Sequence, residues 1–280
     1  MTNSSNDALR NVWESAAPGW AKWEETLSKN LVSVTNILID GANISPGMKI
    51  LDLASGAGSQ TLMVAERVGP KGQVVACDIS GEMLKYLAEN AARAGLTNIK
   101  TLHRAAEDIT PADGRFDAAL CRLGLMLFGA PGDALVAIRA SLSPGARFAA
   151  LVFTTPQNNP FIAQPMAIAL RCAGKQPPPP GTPGLFALGG QDVLQGLFQQ
   201  SGYANITAET IRVPFRLPSV ADAVTMMQEA FGAFRAVLAD LDPDARAQAW
   251  AEIATCLQQF ETDAGLRTEI EVMIVSGIGH

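Results

Sequence analysis

From residue 48 to residue 155 the apolar positions keep two alternating rhythms. Short, nearly unbroken apolar runs, MKILDL (48–53), QVVACD (73–78), NIKTLHR (98–104), FDAALCRL (116–123) and RFAALVFTT (147–155), have the length of buried strands. Between them, SQTLMVAERV (59–68) and SGEMLKYLAENAARAG (80–95) carry their apolar residues at helical spacing. Ser80 is placed to cap the second of these helices and Gly95 to end it. GDALVAIRASLSPGA (132–146) reads as a third helix, closed by Pro144-Gly145. Strands apolar throughout, alternating with helices, predict a parallel sheet covered on both faces, in a doubly wound α/β domain over residues 46–155.

The flanks break the rhythm. Residues 1–45 predict a helical cap bearing Trp13, Trp20 and Trp23. Residues 156–190, rich in proline and glycine, predict a long substrate-side loop with one helix near 161–173. Residues 191–280 return to the core with a helix near 191–201 and two strands, ITAETIRVPFRL (206–217) and TEIEVMIVSGI (268–278). Helices over 219–264 form an insertion before the last strand. The sheet then has seven strands, mostly parallel, with helical cap elements at both ends.

Composition narrows the function. The net charge of −6, with no Lys/Arg run, leaves no electrostatic footprint for nucleic acid. No apolar run approaches the roughly 18–20 residues that span a bilayer, and the polar N-terminus MTNSSNDALRNVWES lacks a secretory h-region. Cys77, Cys121, Cys172 and Cys256 lie too far apart for a metal knuckle or a disulfide framework, so free thiols in a cytoplasmic protein without a metal are expected.

The stretch ILDLASGAGSQT (50–61) puts glycines and other small residues directly after the first strand, where a ligand meets the backbone N–H groups and a helix N-terminus. Asp78, at the end of the second strand, is placed to accept hydrogen bonds from both hydroxyls of a ribose. The loop lacks the third glycine of a dinucleotide fingerprint, and Asp52 stands before it where pyrophosphate would prefer no anion. An adenosine-bearing cofactor with an ammonium at its other end fits better.

ILDLASGAGSQT, VVACDISGEMLKYLAENA, AAEDI, FDAALCRLGLMLF and ASLSPGARFAALVF, in that order, resemble the class I S-adenosylmethionine-dependent methyltransferases, within them the quinone-biosynthesis branch that acts on small molecules. The resemblance covers about residues 46–155 and implies a Rossmann-like methyltransferase fold with S-adenosylmethionine as cofactor and S-adenosylhomocysteine as product. By position it implies that Asp52, Ala54, Gly56 and Gly58 line the methionine half and that Asp78 holds the ribose. Ile79 and Met83 would lie against the adenine, Ala106 and Glu107 at its edge, and Arg122 at the floor of the active site. Two positions depart from the family. Ala54 replaces its first glycine, which requires an ordinary φ there. Ala105 stands where an aspartate commonly meets the adenine amino group, leaving Glu107 or Asp108 for that role.

Methyl transfer from a sulfonium needs alignment more than acid–base chemistry, and no strong base constellation is visible. Arg122 is the first catalytic candidate and His103 a weaker one; a structural histidine competes with the latter reading. Trp20 and Trp23, with Met126, Phe128, Phe161 and Phe186, are expected to line a pocket for a small apolar or aromatic methyl acceptor. The cap, the 156–190 loop and the 219–264 insertion are expected to close that pocket, in a monomer or homodimer. A nicotinamide oxidoreductase and a non-catalytic regulatory protein of the same fold are the alternatives. The first lacks a Tyr-x-x-x-Lys dyad, since neither Tyr86 nor Tyr203 has the lysine.

Overall fold

The computed structural model describes residues 2–179 and 181–279, so His280 and the last proline of the 177–180 run lie outside the described residues. Its centre is one sheet in the order β3-β2-β1-β4-β5-β8-β6. The strands are β1 (Lys49–Leu53), β2 (Gln73–Asp78), β3 (Ile99–His103), β4 (Phe116–Arg122), β5 (Leu142–Phe153), β6 (Tyr203–Leu217) and β8 (Gly265–Gly279). A two-residue strand, β7 (Glu261–Thr262), adds to β8 off this path, so the expected seven strands become seven plus a short hairpin arm. Strands β1 to β5 pair in parallel, and β8 is antiparallel to both β5 and β6.

Chain order runs outward from β1 to β3, then restarts at β4 on the other side of β1. This reversal opens a crevice beyond the carboxyl ends of β1 and β4, the usual ligand position in such sheets. Helices α2 (Ser59–Val68), α3 (Gly81–Arg93), α4 (Pro131–Ser141) and α6 (Val193–Gln200) connect the strands, and α5 (Pro160–Cys172) follows β5. The central strands are closed to solvent, with Ile50, Leu51, Leu53, Val74 and Leu120 fully buried. The edge strand β3 differs: Lys100, Thr101 and His103 are exposed, because nothing pairs beyond it.

The signals at α3 act as expected. Ser80 Oγ accepts from the Met83 N–H at 3.1 Å, and Gly95 takes φ 69° just past the helix end. Helix α4 stops earlier than expected, at Ser141, because Leu142 turns extended and pairs with Phe116. Pro144 and Gly145 therefore fall inside β5, beside the register shift between Phe116 and Ala118, where a residue without an N–H is tolerated.

The N-terminal region is one helix, α1 (Thr2–Gly41). Ala16, Ala17, Leu27, Leu31, Val34 and Leu38 bury one of its faces. The C-terminal insertion holds α7 (Val220–Glu229), α8 (Gly232–Leu238) and α9 (Pro243–Leu257), and α1 packs on α7 and α8 at a glycine contact. A Cβ at Gly19 would sit 2.0 Å from the Glu229 carbonyl oxygen, so only glycine permits that approach. Glu229 then holds the joint, accepting from Trp23 Nε1 at 2.7 Å and from Lys22 Nζ at 2.6 Å.

Candidate functional site

The β1–α2 connection turns sharply three times. Ala54, Gly56 and Gly58 have φ of 50°, 55° and 104°. The glycines take this region without strain, but Ala54 does not. The ordinary φ expected at Ala54 is therefore corrected: the turn keeps the glycine geometry, and alanine bears a strain on the order of 1–2 kcal/mol. Its methyl is accommodated from across the crevice. A Cβ at Gly124 would lie 2.4 Å from Ala54 Cβ, so the methyl at 54 fits because position 124, after β4, has none.

Asp78 supports this loop from below. Its Oδ2 accepts from the Gly56 N–H and its Oδ1 from the Ser80 N–H, both at 2.9 Å. Each oxygen keeps a second lone pair for a ligand hydroxyl. Burial pushes the Asp78 carboxyl up, against the pull of these two donors. Removing Asp78 would leave two loop N–H groups without their acceptor, so the side chain supports the fold as well as facing the crevice.

Asp52 lies deeper than expected. It is fully buried, does not line the crevice, and spends its oxygens on Gln60 Nε2 and on Thr61 Oγ1 at 2.5 Å. Burial pushes its carboxyl up to about 7, although Thr61, Arg122 and Gln60 favour the anion. Gly58 also sits behind the lining: it precedes α2 at the N-cap, and a Cβ there would meet Leu87 at 2.8 Å. Asp52 and Gly58 therefore support the loop from behind.

The crevice is a cleft of about 960 Å³, its open mouth included. Ala54 and Gly56 form its floor beside Asp78, while Ile79 and Met83 wall one side. Ala106 and Glu107 follow β3, and Glu107 is steered by the Ala130 N–H, which its Oε1 accepts at 3.2 Å. Asp108 is exposed and outside the lining, so Glu107 is the acid that faces this end. Arg122 also lines the cleft, donating to Thr35 Oγ1 at 2.8 Å and to Ser59 Oγ at 2.5 Å. Burial pulls its pKa down, while Glu24 and Asp52 hold it up.

Helix α1 closes the cleft and brings residues that the local sequence does not mark. Glu24 Oε1 accepts from the Ser59 N–H at 2.6 Å, at the start of α2. Glu14 accepts from the Gly81 and Glu82 N–H groups at 2.8 and 3.1 Å, at the start of α3. Two carboxylates of one helix thus sit on the positive ends of two others. Leu9, Trp13 and Trp20 form an apolar wall with Leu127 and Phe128. The Trp13 and Trp20 rings lie 6.3 Å apart, and Trp20 leans on Phe231 at 6.3 Å.

Several expected pocket residues lie elsewhere. Trp23 points to Glu229, Met126 is core, Phe161 packs on Phe215 and Phe260, and Phe186 packs on Phe153. Among the described residues, none from 156–190 or 219–264 lines the cleft; the insertion supports α1 from behind. His103 is exposed on the edge strand, its Nε2 2.9 Å from the Ile79 carbonyl oxygen and outside the cleft, which removes it as a base.

An adenosyl group bearing an amino-acid end fits these residues. Trp20 Nε1, Ser55 Oγ and Gln60 Oε1, all on lining residues, are buried without a partner in the protein. Such atoms are costly unless a ligand or water satisfies them. A Cβ at Gly56 would meet nothing within 4 Å, so the floor is open there.

Residues 44–172 match the family model described as a methyltransferase domain. The ubiquinone/menaquinone biosynthesis C-methyltransferase of Ectopseudomonas mendocina is 31% identical over 160 residues, 56% of this chain and 62% of that protein's length. Among solved structures, phosphoethanolamine N-methyltransferase 2 of Haemonchus contortus aligns over 96% of this chain and 60% of its own, with a TM-score of 0.60 at 13% identity. The YcgJ protein of Bacillus subtilis aligns over 89% of this chain and 99% of its own, with a TM-score of 0.59 at 15% identity. At such identities the structural likenesses speak for the fold alone. No helix among the described residues is long and apolar enough to cross a membrane.

Proposed function

We propose that this chain is a class I S-adenosylmethionine-dependent methyltransferase that methylates a small apolar or aromatic molecule, a reading supported by the match of residues 44–172 to a methyltransferase-domain model. The observation that carries the reading is the two-sided cleft. The loop at Ala54–Gly56 and Asp78 offer polar groups for an adenosyl amino acid, and Leu9, Trp13, Trp20, Leu127 and Phe128 add apolar lining to the same cleft.

Asp78 is assigned to the ribose, Ile79 and Met83 to the faces of the adenine, and Ala106 with Glu107 to its edge. Arg122 is assigned to the carboxylate of the amino-acid end. When bound, S-adenosylmethionine supplies both the methyl group and a good leaving sulfur. The chain's own residues hold the acceptor in line and keep water away through the tryptophan wall, an alignment effect on the order of several kcal/mol.

The lining carboxylates Glu24, Asp78 and Glu107 each already accept a backbone N–H, so each is committed to holding the fold around the cleft. The acceptor is therefore one that arrives nucleophilic, such as an electron-rich phenolic or quinol ring. The C-methyltransferase names of the relatives agree with this chemistry. Incubation with S-adenosylmethionine and a panel of naphthols and substituted quinols should release S-adenosylhomocysteine with at least one ring, at a rate lowered by Trp20→Ala. Turnover confined to amines or polar carboxylic acids would overturn the acceptor assignment.

A further inference from the structure

Gln60 lies in the first turn of α2, is 1% exposed, and lines the cleft. Behind it, Asp52 has both carboxylate oxygens engaged and does not reach the cleft surface. Toward the ionised form of Asp52, which can only accept, the Gln60 amide turns its Nε2 donor. That fixes its Oε1, an acceptor, on the other side of the amide, where it finds no donor in the protein. Arg122, which donates to the Oγ of the neighbouring Ser59, lines the same cleft. A buried acceptor and a guanidinium lining one cleft complement an α-amino acid zwitterion, the first its ammonium and the second its carboxylate.

We propose that Gln60 reads the ammonium of the cofactor's amino-acid end through Oε1, and that Asp52 is the positioning residue that holds the amide in this sense. The inference rests on the cofactor assigned above. It moves the recognition of the ammonium from Asp52, where the sequence suggested it, to a neutral side chain oriented by that acid. Glu24 is the rival group, because it lies at the same helix start and carries a charge.

Three adenosine probes separate the possibilities by calorimetry: S-adenosylhomocysteine, its decarboxylated analogue that keeps the amine, and 5′-methylthioadenosine, which has neither group. Gln60→Met should weaken the first two at least tenfold and leave 5′-methylthioadenosine within twofold of the parent. Gln60→Glu, which can share one proton with Asp52 and keep an oxygen toward the cleft, should restore most of the loss. If Gln60→Met does not melt cooperatively, Gln60→Glu carries the test, and the proposal then requires it to keep the parent's preference for the two amine-bearing probes over 5′-methylthioadenosine. Equal losses for all three probes would reduce Gln60 to a structural role and overturn the proposal. An amine-selective loss in Glu24→Gln, with Gln60→Met unaffected, would overturn it in favour of Glu24. A parent protein that binds none of the probes would instead remove the cofactor reading itself.

Discussion

Substituting Gly124 by alanine tests whether the Ala54 turn depends on space left across the crevice. The new Cβ would lie 2.4 Å from Ala54 Cβ and 2.9 Å from Cys121 Sγ. Carbon atoms in contact settle near 3.5–4.0 Å, so the first overlap exceeds about 1 Å. Ala54 cannot rotate its methyl away, since that atom is fixed by a backbone already at φ 50°. Overpacking of this kind costs about 1–3 kcal/mol, and a chain this long loses roughly 2–4 °C in melting temperature per kcal/mol. Gly124→Ala should therefore melt about 2–12 °C lower and bind S-adenosylhomocysteine more weakly, because the displaced loop is the cleft floor. Ala54→Gly in the same chain removes the worse contact and the positive-φ strain, leaving only the sulfur contact. The two substitutions should then be coupled by about 1 kcal/mol or more in urea unfolding. Additivity within about 0.5 kcal/mol would refute the compensation between positions 54 and 124.

Asp52 gives a pH signature of a definite sign. Its native pKa, about 7, stands above the ordinary carboxylate value, so its contribution to stability is fully present in acid and is lost as pH rises toward and through 7. Asp52→Asn should flatten that part of the stability profile, read by urea unfolding between pH 5 and 8; an unchanged slope would show that Asp52 is not the group responsible. Removing residues 1–24 should yield protein that does not melt cooperatively, because Ala16, Ala17 and Trp23 are buried and Glu14 and Glu24 cap α3 and α2. A cooperative melt with unchanged S-adenosylhomocysteine binding would contradict that role for α1.

The alternation of buried strands and helices made the α/β core legible, because a strand buried on both faces leaves a continuous apolar run. Ser80, Gly95, Gly56 and Asp78 were legible for a similar reason: each acts on backbone within a few residues, or at the end of a strand whose place the alternation already fixes. The rest depends on partners far along the chain. The φ of Ala54 is tolerable only because of Gly124, seventy positions later, and nothing near residue 54 reports that. Trp20 and Trp23 share helical spacing, yet Trp23 turns away because Glu229 accepts its indole N–H. Asp52 looked like a ligand group because the sequence shows its place before the loop but not its depth beneath it. Glu14 and Glu24 read as ordinary solvated acids until α1 is laid across the starts of α2 and α3.

The most direct test of the cofactor assignment is calorimetric titration of the full chain with S-adenosylhomocysteine and, separately, with NADH. S-adenosylhomocysteine should bind at micromolar affinity or better, with a loss of about one to two decades in Asp78→Asn from weakened charge-assisted hydrogen bonds worth roughly 1.5–3 kcal/mol, while NADH should give no heat beyond dilution. Micromolar binding of NADH with none of S-adenosylhomocysteine would contradict the account.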